Sequence, residues 1–308
     1  MVALSRRLFL GAAALASLSG GSWVFRRAQL QDRAAELYAT RLTPPTAPMQ
    51  VYHLGHSLVG EDMPAMLSQM AGAGHSYHSQ TGWGTSLREH WEPEMPVNGF
   101  DRANDHARHR PARAAIGSGE YDAVVLTEMV EIADAIRYHD SPDYLARWAN
   151  LAREARPDTR VYLYETWHYT DDGTGWLNRI DRDLDKYWRR QVLYPALQQS
   201  DLPIHLIPAG QVMAAFARAL DAQGGVGPLQ GHRDLFKDNI HFNDYGAYLI
   251  ALTHYAVLYQ RDPAGLPHAL LRADGAPADD MGAEAAALMQ RVVWDVVTSL
   301  PQTGVPQG

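Results

Sequence analysis

Two stretches far apart in the chain hold side chains that could together break an ester bond. Gly55-His56-Ser57-Leu58 puts a serine directly after a glycine turn, where its hydroxyl can stand exposed and its N–H can stay free. Lys237-Asp238-Asn239-Ile240-His241-Phe242-Asn243 holds an aspartate and a histidine at i and i+3. A neutral imidazole can take the proton of a serine hydroxyl. A carboxylate on its other nitrogen fixes the tautomer and steadies the imidazolium that forms. Asp and His on one short turn can make that pair locally. Each stretch alone also fits a plainer role. Ser57 can cap the helix that follows, and Asp238, His241 and Asn243 can be loop, surface and cap residues.

Other chemistries find less support. The absence of cysteine removes thiolate nucleophiles, zinc–thiolate sites, Fe–S clusters and disulfides together. His53/His56, His75/His78 and His106/His109 have His-x-x-His spacing, which is weak without a third ligand, and no His-Glu-x-x-His occurs. A P-loop is absent. Gly72-Ala73-Gly74 lacks the third glycine of a dinucleotide fingerprint and follows a helical stretch. No metal and no cofactor are therefore expected. A formal net charge of −8 and pI near 5.9 argue against broad nucleic-acid binding, which wants a basic face. Trp83, Trp91, Trp167 and Trp176 fall near the ends of expected strands. Aromatic faces with polar rims suit sugar rings, and tryptophan also packs in loops and core.

A frame must bring these residues together. With 308 residues, 46% hydrophobic and 20% charged, the chain can bury a real core without a staple. The unbroken apolar run in Tyr121–Leu126 predicts a buried strand, and Gln50–Leu54, Ser76–Gln80, Arg160–Glu165 and Pro203–Ile207 read as further short strands. Helical patterns cover Met63–Ala71, Ser141–Ala155, Arg179–Gln199, Gln211–Asp221, Phe242–Tyr259 and Ala283–Ser299. Ser141-Pro142 reads as a helix start, with Ser as cap and Pro in the first turn. Residues 92–118 read as a long irregular insertion. Alternating strands and helices imply a mainly parallel five-stranded sheet with helices on both faces. Active sites in such sheets lie at the carboxyl ends of the strands. Ser57, Thr81 to Gly84, Thr127-Glu128 and Thr166 to His168 all fall there, and the 232–242 loop joins them.

Gly-x-Ser-Leu after the first strand, with Asp-x-x-His before the last major helix, resembles the SGNH (GDSL-like) hydrolase family over about residues 49–260. Here His56 stands where that family has Asp, while Asp238 and His241 match its final block in full. The resemblance implies a three-layer, flavodoxin-like fold. It implies Ser57 as nucleophile, His241 as general base and acid, and Asp238 as the carboxylate that orients it. It also implies a glycine after the second strand whose N–H binds the oxyanion beside the Ser57 N–H. Gly84 is preferred over Gly82, because Gly-x-Ser is common in that block. The third block departs. The family usually has Gly-x-Asn-Asp after the third strand, and the Asn is a further oxyanion donor. This chain runs Leu126-Thr127-Glu128-Met129 instead. Glu128 is then read as a substrate-binding residue, with His56, Trp83 and Trp167. The implied activity is an esterase that removes acetyl or other acyl groups from a glycan or small ester. The alternatives are a glycan-binding protein without turnover and an acetyltransferase on the same fold.

The N-terminus reads as an address. Ser5-Arg6-Arg7-Leu8-Phe9-Leu10 precedes a diluted apolar run and resembles a twin-arginine signal, implying the matching export machinery as a partner. Residues 1–25 are expected to be this signal or an anchor. Thr43-Pro44-Pro45-Thr46-Ala47-Pro48 breaks any helix, so residues 26–48 read as a spacer before a single domain at 49–302. The expected location is periplasmic or secreted, with an uncleaved tether to the inner membrane as the variant.

Overall fold

The computed structural model describes residues 28–306, so the signal-like stretch 1–25 lies outside the described residues. Parallel strands form where apolar runs are covered on both faces, and also, at one edge of the sheet, from the more polar stretch Ser76–Gly82. These are β1 (Gln50–His56), β2 (Ser76–Gly82), β3 (Ala123–Leu126), β4 (Arg160–Glu165) and β5 (Ile204–Pro208). They make one sheet in the order β2-β1-β3-β4-β5, with every neighbouring pair parallel. That order is flavodoxin-like, and the fold is the three-layer α/β architecture expected above.

The helices that cover the sheet are α1 (Asp62–Ala71), α2 (Leu87–Trp91), α3 (Ile132–Tyr138), α4 (Ser141–Ala155), α5 (Trp176–Asp183), α6 (Ala209–Gln223), α7 (Asp244–Tyr259) and α8 (Gly282–Ser299). After α5 the chain continues in wider π-type turns over Leu184–Leu193 and one α turn at Tyr194–Leu197. Successive strand side chains point to opposite faces. Val51, Val125, Tyr162 and Tyr164 therefore join a core with α1, α6, α7 and α8. Tyr52, Leu54, Val124, Leu126 and Leu163 join a second core with α4 and the 184–197 segment. In α7 every residue except Tyr245 is buried, as expected of a helix apolar on all sides.

Three sequence expectations shift in detail. Asp140, in left-handed backbone with φ 49°, holds the cap position of α4, and the Ser141 hydroxyl donates to Glu128 instead of capping. The 92–118 insertion contains short helical turns at Phe100–Ala103 and Ala112–Ile116. It is pinned to β2 by Asn104, which accepts from Thr81 N–H and donates to the Thr81 carbonyl. The stretch read as a spacer is docked where it is described. Residues 28–39 are helical, Ala34 is buried, and the Tyr38 hydroxyl donates to the Ile204 carbonyl at 2.6 Å.

The sheet order also locates a crevice. From β1 the chain passes to β2 on one side, then crosses to β3 on the other. The loops above β1 and β3 diverge at that switch point, which is where ligands bind in open α/β sheets. Ser57 is the first residue past β1.

Candidate active site

The turn that presents Ser57 is fixed from several directions. Gly55 passes so close to the loop after β3 that a Cβ there would collide with the Thr127 methyl. The Thr127 hydroxyl is itself anchored on the Tyr164 carbonyl at 2.8 Å. His90 from α2 bonds the Gly55 carbonyl through Nε2 at 2.7 Å, and Gln80 meets its Nδ1. His56 is fully buried. Its Nε2–H donates to the Glu128 carbonyl at 2.8 Å, and its Nδ1 faces the Leu58 N–H at 3.4 Å. Burial brings the His56 imidazole down to about 4, so it is neutral and can be donor on one side and acceptor on the other.

The second arm comes from the loop before α7. Asn243 caps that helix by accepting from the Tyr245 and Gly246 N–H groups. Its own N–H and amide are tied to the Leu235 and Asp234 carbonyls. Trp167 donates its indole N–H to the Ile240 carbonyl at 2.9 Å, and Thr170 N–H reaches the Asn239 carbonyl. Within this clamp Asp238 Oδ1 accepts from the Ile240 and His241 N–H groups at 2.8 and 2.7 Å. Its Oδ2 takes the His241 Nδ1–H at 2.7 Å. Partial burial pushes the Asp238 carboxyl up, but these three donors outweigh it and bring the group down to about 2. It is a carboxylate at any ordinary pH.

The two arms meet. His241 Nε2 lies 2.9 Å from Ser57 Oγ, so the hydroxyl can donate to the imidazole whose other nitrogen is held by Asp238. Both residues open onto a cleft of about 660 Å³. Trp83, half exposed at 51%, stands on its wall. Arg102, Lys237 and Asn243 also line it. Among the described residues the N–H groups of Ser57 and Gly84 have no intramolecular acceptor. Gly84 is exposed in left-handed backbone (φ 60°), next to Trp83 but outside the residues that line the cleft.

Several predicted site residues lie elsewhere. Glu128, His56 and Trp167 are buried and do not face the cleft, which corrects their reading as substrate contacts. Glu128 Oε1 accepts from the Leu87 and Met129 N–H groups, and Oε2 accepts from the Ser141 hydroxyl at 2.7 Å. Burial raises its carboxyl to about 7 in spite of those donors. It is a strut between the end of β3 and two helices. Trp167 positions the loop that carries His241, and His56 positions the turn that carries Ser57. Sequence reading gave no role to His90, Arg102 or Lys237, and it offered Thr127 as a third oxyanion donor, whereas the buried Thr127 hydroxyl donates to the Tyr164 carbonyl. Lys237 carried a signal, since it lies in the same short loop as Asp238 and His241. Arg102 had none inside an insertion without pattern.

No family model and no curated protein sequence matches this chain. Similar solved structures include a DUF4886 family protein from Bacteroides uniformis, at 14% identity and TM-score 0.50, covering 81% of this chain and 95% of that one. A "putative GDSL-like lipase" from Parabacteroides merdae is 14% identical, with TM-score 0.43, covering 71% and 98%. At such identity the likeness to the first is one of fold: this chain and the Bacteroides uniformis protein share a parallel-sheet α/β architecture.

Proposed function

We propose that this protein is an exported serine ester hydrolase that removes acyl groups, acetyl first among them, from a carbohydrate or other small ester. The observation that carries the reading is the unbroken chain Asp238–His241–Ser57, with its hydroxyl end open to a cleft. In the reaction Ser57 Oγ attacks the ester carbonyl as its proton passes to His241 Nε2. The negative charge on the former carbonyl oxygen needs fixed donors, each worth roughly 3–4 kcal/mol in the transition state. The free N–H of Ser57 supplies one, and Gly84 is the candidate for another. His241 then returns the proton to the leaving alkoxide, and an acyl-enzyme remains. Water, deprotonated by His241, releases the acid and restores Ser57. No cofactor enters this scheme. Export rests on the twin-arginine string at Ser5 to Leu10 and the apolar run behind it.

The test is turnover of a short aryl acetate by the parent and by its Ser57→Ala and His241→Ala variants. Each variant should lose on the order of 10³-fold or more in kcat, and the double variant little beyond that, because the two groups act as one unit. A folded parent without turnover, or variants that keep it, would remove the hydrolase reading.

A further inference from the structure

The cleft in front of Ser57 continues past it. A second cavity of about 330 Å³ shares Gly60, Glu61, Arg272 and Ala273 with the first. The two are chambers of one groove, longer than a single small ester needs. One wall carries a fixed aromatic platform. The Trp83 N–H is bonded to the Asn98 carbonyl at 2.8 Å. The Trp83 ring rests on Gly99, where a Cβ would collide with it, and half of the residue stays open to the cleft. A preset, half-exposed indole is the kind of surface on which a sugar face stacks.

The charges along the groove are unequal in their freedom. Asp244 grips the Arg272 guanidinium at 2.6 and 3.0 Å, and Asp279 joins it at 3.3 Å. Asp62 accepts the Ala273 N–H and Asp274 the Ala276 N–H, both at 2.9 Å. These acids are engaged in building the loop that walls the groove. Of the lining carboxylates, only the Glu61 side chain makes no bond among the described residues. Against it stand three exposed cations. Arg102 and Lys237 line the first chamber and Arg108 the second. Among the described residues none of the three has a carboxylate oxygen within 4 Å. The Arg108 guanidinium lies 4.9 Å over the Tyr77 ring, which holds it at the second chamber.

We infer that the groove binds an anionic oligosaccharide. One sugar face stacks on Trp83, an acidic substituent near the reacting ester meets Arg102 and Lys237, and a neighbouring acidic unit reaches Arg108. Sugar carboxylate and sugar sulfate share the chemistry that this requires. The inference takes from the hydrolase reading only the position of the site and not its turnover.

Binding therefore tests it apart from catalysis. The full chain carrying Ser57→Ala is titrated calorimetrically with a galacturonate tetramer, a sulfated galactan tetramer and a neutral galactan tetramer. At least one charged tetramer should bind about tenfold or more tightly than the neutral one, and added salt should shrink that margin. Whichever anion wins identifies the source. Arg108→Gln should remove most of the margin for the tetramer, Arg108→Lys should restore part of it, and Arg108→Gln should change monomer binding little. Unfolding midpoints of all variants are measured alongside. Equal binding of charged and neutral tetramers overturns the inference. So does binding of none of them, or a charge preference that survives Arg102→Gln with Arg108→Gln. Charged-tetramer binding by a parent without aryl acetate turnover would sink the hydrolase reading and leave this one standing.

Discussion

At Gly55 the requirement is the absence of a side chain. The turn that aims Ser57 crosses the loop after β3 at a distance that leaves room for a hydrogen and for nothing larger, with the Thr127 methyl in the way. Gly55→Ala should cost about 1–3 kcal/mol of unfolding free energy, together with part of the turnover, because the strain falls two residues before the nucleophile. Thr127→Ser removes the offending methyl and keeps the hydroxyl that bonds the Tyr164 carbonyl. The double variant should therefore be more stable than Gly55→Ala alone, as read by urea unfolding. A cost that Thr127→Ser leaves untouched would show that the collision is not its cause. Ser57, Asp238 and His241 could be read from the sequence because a local Asp–His turn and a serine after a glycine are short-range features. Trp167 and Glu128 could not be read in the same way. A position just past a strand end fixes where a residue sits in the chain, but the twist of the next loop decides whether its side chain turns to solvent or core. Here both turn inward, one beneath the loop of His241 and the other between helices.

At the level of elements, Glu128 ties the end of β3 to the first residue of α2 and the first residue of α4. Its carboxyl sits at about 7 in the fold because burial disfavours the charged form, against an ordinary value near 4.5. The native state thus holds a proton that the unfolded chain gives up, and stability is lost as pH rises from about 4.5 through 7. Glu128→Gln keeps the geometry: the amide oxygen can accept from the Leu87 and Met129 N–H groups, and the NH₂ can donate to Ser141. The variant should gain stability relative to the parent as pH rises across that window, measured by thermal unfolding at pH 4.5, 6 and 7.5. A constant difference would mean that Glu128 does not titrate there. The strands and long helices were legible because uninterrupted apolar runs and 3.6-residue periodicity extend over many residues. The boundaries of α4 and β4 came out as read. The short helices α2 and α3 did not, since a few residues give too little periodicity to stand out. The π-type turns of Leu184–Leu193 sit inside a stretch that reads simply as helix.

For the molecule as a whole, the decisive feature is how many histidines the two cores bury. His53 lies in the interior between Tyr77 and His254, fully buried, with neither ring nitrogen bonded. Burial holds its imidazole well below the usual range, with His254 and His75 adding to the effect. Burial also brings His56, His75, His90, His205 and His254 down to about 4. In each case the unfolded chain takes up a proton that the fold refuses, so stability is lost as pH falls from about 6.5 towards 4. Glu128 and Glu165, raised to about 7 and about 8, work in the opposite sense, but the histidines outnumber them. The protein should therefore lose stability on acidification through this range. His53→Leu isolates one contribution. It removes a titrating group and two unbonded polar atoms from a site that a branched apolar side chain can fill. At pH 7.5 the variant should be as stable as the parent or more so, by about 1–3 kcal/mol. Its urea midpoint should also fall less than the parent's between pH 7.5 and 5. Parallel curves for the two proteins would show that His53 takes no part in the acid response, and the loss would then lie with the other buried histidines.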